Sequence, residues 1–365
     1  MNRDQTLDII KGIGIILMIV GHSGAPDYVH DFIYTFHMPL FFIASGWFFN
    51  ERSLEDSKSF AVKKLNSIYL PYWKWCIIFL FLHNFFYSIG IINGVYGANN
   101  GSVSHWYSIK DIVEHAVDFT FRMNGYDGYL LGAYWFVRSL LWGSLLLCFS
   151  SALMCRLTKL NKTTCIFSVA VIFGIMGGAI SLFNIHIPFW PQGGYREMMA
   201  VFFIGMGFML RKMDWWKSNY MMVVFMIVIP VSLQIEPTSM STKQTFVMWL
   251  LIPYTGLAGF AIVYKFSNAV AQSQGKIADC LSYTGRQSFY IMTFHFLMFK
   301  PASLLKTYIY NMDWKMMGCH PVIPPEGDNW YWVVYTLTSI VLSIGMARII
   351  EKIPAPKLNI NIIRR

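Results

Sequence analysis

The stretch of sequence that decides the fold class is residues 11–22, KGIGIILMIVGH, in which every residue between Lys11 and His22 is uncharged. A helix needs about 20 mostly apolar residues to cross the hydrocarbon core of a bilayer, with a range of about 17–25. Residues 7–24 around this stretch fall within that range. Comparable apolar runs follow one another to near the end of the chain. The sequence therefore predicts an integral membrane protein.

The apolar runs predict an all-α, polytopic integral membrane protein with about ten transmembrane helices. They lie near residues 7–24, 32–49, 68–92, 130–154, 164–184, 197–210, 220–236, 245–264, 287–309 and 331–350. Because they continue from end to end, we predict a single transmembrane domain over residues 1–365. The longest intervening segment, 93–129, contains a helix-like stretch from Lys110 to Arg122. The segment 310–330 is rich in Pro and Gly and suits a lid.

The composition agrees with a membrane protein. Hydrophobic residues make up 55% of the chain and charged residues only 13%, whereas a soluble domain carries about 25% charged residues. The net charge is +10, but the basic residues lie in short segments between apolar runs. That distribution is typical of membrane orientation, so we predict no nucleic-acid partner. The six cysteines show no CxxC spacing, and we predict no metal site.

The distribution of Lys and Arg predicts the orientation. Cytoplasmic segments of membrane proteins carry an excess of these residues. With the N-terminus inside, more than twice as many Lys and Arg residues fall in inner segments as in outer ones. The sequence therefore predicts an even number of spans and both termini in the cytoplasm.

The ionisable residues Lys11 and His22 lie in the first span, and such groups inside a membrane are functional candidates by default. Lys11 and His22 are eleven residues apart. At about 100° per residue they project from one helix face, roughly 16 Å apart along the axis. His37 enters the second span near the expected depth of His22, and Pro39 follows it. For either histidine, the alternative is a core residue bonded to a neighbouring carbonyl.

Further candidates follow along the chain. Arg138 lies inside a span one turn after Trp135 and therefore needs a partner. Trp135 could instead be an interfacial anchor, and His295 in the ninth span could be a packing residue. Tyr195 and Arg196 lie at an outer helix edge, where snorkelling to the interface is the alternative. The candidates for positioning substrate or stabilising an oxyanion are His37, Trp135, Arg138, Tyr195, Arg196 and His295.

Several of these residues belong to patterns that resemble the membrane-bound acyltransferase-3 family. The specific patterns are Asp8-Ile-Ile-Lys11-Gly12, the Lys11-x10-His22 spacing and Phe36-His-Met-Pro-Leu-Phe-Phe. In that family the opening helix carries an Arg or Lys, ten residues and then a His. Weaker similarities are Lys63-Lys64-Leu65, Tyr134-Trp-Phe136, Phe203-Ile-Gly205 and Ser282-Tyr-Thr-Gly285 with Ser288, Tyr290 and His295. The chain departs from the family pattern at two places. Lys11 stands where Arg is usual, and the adjacent Lys63 and Lys64 stand where many members have a spaced pair of arginines.

The resemblance implies a stand-alone O-acyltransferase without an extracytoplasmic hydrolase-like domain. Such enzymes take an acyl group, usually acetyl and sometimes succinyl, from cytoplasmic acyl-CoA. They pass it to a hydroxyl of an extracytoplasmic or lipid-linked glycan or another envelope molecule. For this chain we expect acetyl-CoA as co-substrate, membrane lipids as surroundings and the bacterial cytoplasmic (inner) membrane as location. The expected catalytic residues are His22 and His37, and the expected donor-binding residues are Lys11, Lys63 and Lys64.

Four alternatives stay open. His22 could act as a general base or carry the acyl group as an acyl-histidine. A polytopic transporter or exporter of an envelope precursor would also place polar residues near the membrane midplane, although the two halves show no internal symmetry. A sensor with a ligand-binding outer segment has only the length of that segment in its favour. The loop charges of Lys63 and Lys64 could also be an orientation signal alone.

Overall fold

The computed structural model describes residues 4–98, 101–124, 129–188, 190–242, 244–325 and 330–353. Within these ranges the regular structure is helical and contains no β-strand, so the all-α prediction is confirmed. The α-helices are α1 Gln5–His22, α2 Asp27–Tyr34, α3 His37–Trp47, α4 Ser57–Lys64, α5 Leu70–Ser88, α6 Ile109–Val117, α7 Trp135–Leu157, α8 Lys162–Leu182, α9 Tyr195–Lys212, α10 Asn219–Ile235, α11 Phe246–Ser273, α12 Lys276–Arg286, α13 Ser288–Ile309 and α14 Tyr331–Lys352.

Six helical segments of the described chain are long and apolar enough to cross a membrane. They are Gln5–His22, Ser57–Ser88, Gly132–Leu157, Lys162–Leu182, Phe246–Ser273 and Tyr331–Lys352. Helix α10 is apolar but has only 17 residues, and α3 has 11. The predicted total of about ten spans and the cytoplasmic termini therefore stay predictions. Residues 1–3 and 354–365, at the two termini, lie outside the described residues.

The second predicted run, 32–49, is not one continuous helix but two short helices, α2 and α3. The helix is interrupted at Phe36, whose backbone has φ −143° and ψ −18°. The carbonyl of Thr35 at this break accepts a hydrogen bond of 3.0 Å from the hydroxyl of Thr255. Membrane helices tolerate such breaks where neighbouring side chains satisfy the freed backbone groups. As a result His37 is the first residue of α3, and Pro39 lies in its first turn, where proline is tolerated.

Glycine contacts bring the helices that carry the candidate residues into close approach. A Cβ atom on Gly12 of α1 would overlap the carbonyl oxygen of Leu281, and one on Gly285 of α12 would overlap that of Asp8. Helices α3 and α9 cross in the same way, through Gly46 and Gly207. Small residues allow this backbone approach in membrane bundles. The first contact fixes the position of the Lys11 turn, and the second fixes α3.

Helix α1 lies between two hydrophobic cores. Leu7 and Ile10 belong to a core built mainly from α3, α7, α8, α9, α10 and α11. Ile15, Met18 and Ile19 belong to a second core built mainly from α5, α7, α13 and α14. The helix that carries Lys11 and His22 is thus enclosed by helices from both halves of the chain.

The helix-like stretch predicted between Lys110 and Arg122 is present. It consists of α6 and a π-helical turn over Asp118–Arg122. The side chain of Ser108 caps the start of α6 together with Asp111. The carbonyl of Thr120 accepts a 2.6 Å hydrogen bond from the hydroxyl of Tyr69, so this segment packs back along α5.

Candidate active site

A cavity of about 480 Å³ extends along α1, and both Lys11 and His22 line it. The helix geometry places the two side chains roughly 16 Å apart along the axis. The shared helix face predicted from the eleven-residue spacing is therefore present, although the roles of the two residues stay predictions. The walls between them are largely aromatic and aliphatic, with Ile15, Met18, Phe41, Phe136, Val137, Leu140 and Met292 among the lining residues.

At one end of the cavity, Lys11 is paired with an acidic side chain of its own helix. Its Nζ atom lies 2.8 Å from Oδ1 of Asp8, whose side chain is only 4% exposed, whereas that of Lys11 is 26% exposed. Ser288, three residues after the tightly packed Gly285, also lines the cavity. The Lys11 end therefore offers an ammonium group that is held in place by Asp8 and remains accessible from the cavity.

At the other end, three histidines and one tyrosine meet near the end of α1. The Nδ1 atom of His22 lies 3.4 Å from the hydroxyl oxygen of Tyr34. The ring of His295 lies 5.5 Å from that of His22, centroid to centroid. The ring of His37 lies 4.7 Å from that of Tyr34. His22, Tyr34 and His37 line the cavity, and His295 is fully buried against His22.

Backbone carbonyls set the tautomers of two of these histidines. Nδ1 of His37 lies 2.9 Å from the carbonyl oxygen of Ile33, and Nδ1 of His295 lies 2.7 Å from that of Met292. Because a carbonyl oxygen can only accept, Nδ1 carries the proton in each neutral ring and Nε2 carries a lone pair. In the neutral state, His37 and His295 can therefore accept a hydrogen bond at Nε2. His37 could donate from Nε2 to an oxyanion only as an imidazolium, with protons on both ring nitrogens.

Trp135, Tyr195 and Arg196 form a connected group near the cavity. Trp135 lines the cavity, and the guanidinium carbon of Arg196 lies 4.4 Å from the centroid of its ring. Arg196 also donates to the carbonyl of Ser241, which lines the cavity too. The Tyr195 hydroxyl reaches two carbonyls of the same segment, residues 240–242, at 3.0 and 2.5 Å. Tyr195 and Arg196 thus hold this segment against the cavity and are not themselves among its lining residues.

Arg138 has the partner that its position in a span requires. Its Nε atom lies 2.8 Å from Oε1 of Glu197, and both side chains are almost fully buried. The hydroxyl of Ser139 donates to the same oxygen over 2.9 Å. Arg138 is not among the residues that line the cavity. The ion pair therefore joins α7 to α9 behind the cavity wall.

Lys63 and Lys64 lie at the end of α4, outside the cavity lining. Lys63 is exposed, and Nζ of Lys64 lies 5.4 Å from the ring centroid of Phe60. The π-helical turn that follows, Leu65–Tyr69, brings Ser67 and Ile68 to the cavity. The two lysines therefore stand about one helical turn away from lining residues.

Two other basic residues, Arg211 and Lys212 at the end of α9, have carbonyl or acidic partners. Arg211 donates to the carbonyl of Trp47 over 2.7 Å. Lys212 donates to Glu51, and Thr163 donates to the same carboxylate over 2.6 Å. The hydrogen bonds from Lys212 and Thr163 hold the pKa of Glu51 below its ordinary value. Both cations thus serve contacts within the protein.

Four residues that contact the candidate residues in the structure were given no role of their own in the sequence analysis, although Asp8 is part of a quoted family pattern. Asp8 could have been found from its i, i+3 spacing to Lys11, which places the two on one helix face. Tyr34 stands three residues before His37, but the helix break between them removes any regular spacing. Glu197 and Ser241 had no sequence signal, because their partners Arg138 and Arg196 reach them through tertiary contacts.

A comparison with protein-family models identifies the family of the chain. The model of the acyltransferase-3 family, described as an acyltransferase domain, matches residues 4–348. The chain belongs to the acyltransferase-3 family. A search of curated proteins returns no match, and neither does a search of solved structures. The described residues include six helical segments that are long and apolar enough to cross a membrane. This member of the acyltransferase-3 family is therefore a multi-pass membrane protein of an acyltransferase class.

Proposed function

We propose that this acyltransferase-3 protein moves an acyl group from cytoplasmic acyl-CoA to a hydroxyl of an envelope molecule. The donor would enter at the Lys11 end of the cavity and the acceptor at the His22 end. The observation that supports this most strongly is that one largely apolar cavity joins the two side chains. Acyl-CoA is a polyanion that cannot cross a bilayer, so its thioester has to pass through protein. The proposed location is the bacterial inner membrane.

The Lys11 end suits the donor. The pantetheine arm of acyl-CoA is long and thin, and its reach is comparable with the roughly 16 Å between Lys11 and His22. Lys11 would hold the arm or a phosphate oxygen near the mouth of the cavity. Exposed Lys63 and neighbouring Lys64 would bind the phosphates outside it, since ammonium groups are good partners for phosphate. The cavity walls would receive the arm and exclude water.

The His22 end suits proton transfer. In the proposed reaction His22 takes the proton of the acceptor hydroxyl, whose oxygen then bonds to the thioester carbonyl carbon. The carbon–sulfur bond breaks, its electron pair stays on sulfur, and the imidazolium of His22 returns the proton to the thiolate. CoA thus leaves as a thiol, and no electron or proton is gained or lost overall. In the alternative path, an acyl-histidine forms first and then reacts with the acceptor.

Other side chains would orient the reactants. The Nε2 lone pair of His37 could accept a hydrogen bond from the acceptor hydroxyl. Trp135 and Ser241 line the cavity, and their indole N–H and hydroxyl would be candidate donors to a tetrahedral oxyanion. Arg196 would act by holding both of them in place. Arg138 would act only through its ion pair with Glu197, which fixes α7 beside α9.

The lining favours an uncharged acyl group. Among the described residues that line the cavity, Lys11 is the only Lys, Arg, Asp or Glu. A succinyl group would therefore bring a carboxylate to the His22 end, where the described lining offers no Lys or Arg as a partner, and a buried charge without a partner is strongly unfavourable. We accordingly propose acetyl-CoA as the donor. The family resemblance supports a glycan or lipid-linked glycan as the acceptor.

The proposal is tested with purified protein in proteoliposomes. Radiolabelled acetyl-CoA or succinyl-CoA is supplied together with glycans and glycolipids extracted from bacterial envelopes. We expect label from acetyl-CoA to enter the glycan fraction, with release of one CoA thiol for each acyl group, and much less label from succinyl-CoA. Protein-free liposomes are the control.

Two results would contradict it. The absence of both label and thiol release would exclude acyl transfer to these acceptors. Movement of an extracted glycolipid across the membrane without acyl-CoA would favour the transporter or exporter alternative.

A further inference from the structure

Tyr34 contacts three histidines, His22, His30 and His37. Its hydroxyl oxygen lies 3.4 Å from Nδ1 of His22. Its ring stacks on that of His30 with 3.9 Å between centroids and meets that of His37 edge-on at 4.7 Å. The residue lines the cavity. Tyr34 thus has one polar contact to His22 and two ring contacts that hold the phenol in position.

The polar contact bears on which nitrogen of His22 can act. A neutral imidazole carries its proton on one nitrogen and a lone pair on the other, and the hydrogen bond made by one nitrogen selects the tautomer. A phenol oxygen can accept a hydrogen bond as well as donate one. When Nδ1 of His22 donates to Tyr34, Nε2 is left with the lone pair and can accept a proton.

We propose that Tyr34 is a positioning residue for acyl transfer, whose hydroxyl oxygen accepts the Nδ1 proton of His22 and leaves Nε2 as the base. The inference rests on the proposed role of His22 as general base. It follows the logic by which a third group orients the base in nucleophilic active sites. Here the orienting group is a neutral phenol on the last residue of α2, two residues before the helix interruption at Phe36.

The contact strengthens as the reaction proceeds. When Nε2 takes the proton of the acceptor hydroxyl, His22 becomes an imidazolium and its Nδ1–H···O bond becomes charge-assisted. Such bonds are roughly twice as strong as neutral ones. An interaction that is stronger in the transition state than in the ground state raises kcat without tightening substrate binding. In the proposed function the donor binds mainly at the Lys11 end of the cavity. The KM for acetyl-CoA should therefore depend little on Tyr34.

The test is Tyr34→Phe, which removes the hydroxyl and keeps the ring that packs on His30 and His37. We expect kcat for acetyl transfer to fall about tenfold, the effect of losing one hydrogen bond to a charged group, with an unchanged KM for acetyl-CoA. The matched control is Tyr28→Phe on the same helix, because Tyr28 is 75% exposed. That variant should keep the wild-type kcat. Size-exclusion chromatography and thermal unfolding in detergent report whether each variant is folded.

Each outcome decides the inference. A folded Tyr34→Phe protein with wild-type kcat would overturn it. A variant with a raised KM, or with a loss of activity that matches its loss of folded protein, would show a packing role and overturn it as well. Failure of the wild-type protein to transfer any acyl group would instead refute the proposed function, so the two failures are distinguishable.

Discussion

The imidazole rings of His22 and His295 lie 5.5 Å apart, although they come from α1 near the start of the chain and α13 near its end. The Nε2 atom of His295 is buried and has no hydrogen-bond partner among the described residues. An unpaired buried acceptor costs about 1–3 kcal/mol, and we propose that this lone pair beside His22 is used during the reaction.

The first prediction concerns His295. In His295→Phe an aromatic ring of similar shape remains, but the Nε2 lone pair is lost. If this lone pair serves the site, the variant should fold normally and lose most of its transfer rate in the radiolabel assay. A pure packing role predicts the opposite, namely a rate close to that of the wild type.

The second prediction concerns the proposed base. His22→Ala should abolish acetyl transfer, because general base catalysis contributes about 10²–10⁴-fold, while expression and membrane insertion stay intact. The control is His186→Ala, since His186 is exposed on the segment after α8. Near-normal transfer by His22→Ala would remove His22 from the mechanism.

The third prediction concerns the donor. Lys11→Ala should raise the KM for acetyl-CoA more than Lys11→Arg, because arginine keeps the positive charge beside Asp8. The double variant Asp8→Asn with Lys11→Met removes both charges and should also have a raised KM for acetyl-CoA. Lys110→Ala is the control, because Lys110 has an 81% exposed side chain. If the KM is the same in all of these proteins, Lys11 does not bind the donor.

The fourth prediction concerns the buried ion pair of Arg138 and Glu197. Glu197→Leu alone leaves a buried guanidinium without its carboxylate and should destabilise the protein by about 3–5 kcal/mol. Thermal unfolding in detergent should show a marked fall in the midpoint. Combining it with Arg138→Met should recover much of the loss, since paired replacement by apolar residues is often neutral.

An exposed pair provides the comparison for this prediction. Lys110 and Glu114 lie 3.7 Å apart with side chains that are 81% and 64% exposed. Glu114→Gln should therefore change the unfolding midpoint little. Equal effects of Glu197→Leu and Glu114→Gln would contradict a structural role for the buried pair.

The fifth prediction concerns the close approach of α1 and α12. Gly285→Ala would drive a methyl group into the carbonyl oxygen of Asp8, a backbone atom that cannot turn aside. We expect a loss of about 1–3 kcal/mol from overpacking, together with weaker use of acetyl-CoA because the Lys11 turn is displaced. Gly345→Ala is the control, since nothing lies within 4 Å of a Cβ atom there. Unchanged stability and KM in Gly285→Ala would show that the helices can separate without effect.

The sequence by itself determined the properties that depend on local periodicity and composition. Apolar run length predicted helices that cross a membrane, and six of the described segments meet that requirement. The eleven-residue spacing placed Lys11 and His22 on one face, because a helix repeats its direction at that interval. The motif Lys11-x10-His22 indicated the family that the comparison then confirmed over residues 4–348.

Only the tertiary structure decided which distant groups meet. The helix predicted over residues 32–49 is interrupted at Phe36, where the hydroxyl of Thr255 donates a hydrogen bond to the carbonyl of Thr35. The tertiary structure placed Tyr34 and His295 against His22 and gave Arg138 its partner Glu197. The physical reason is that helix periodicity is a property of neighbouring residues, whereas contacts between helices depend on packing that joins positions far apart in the chain.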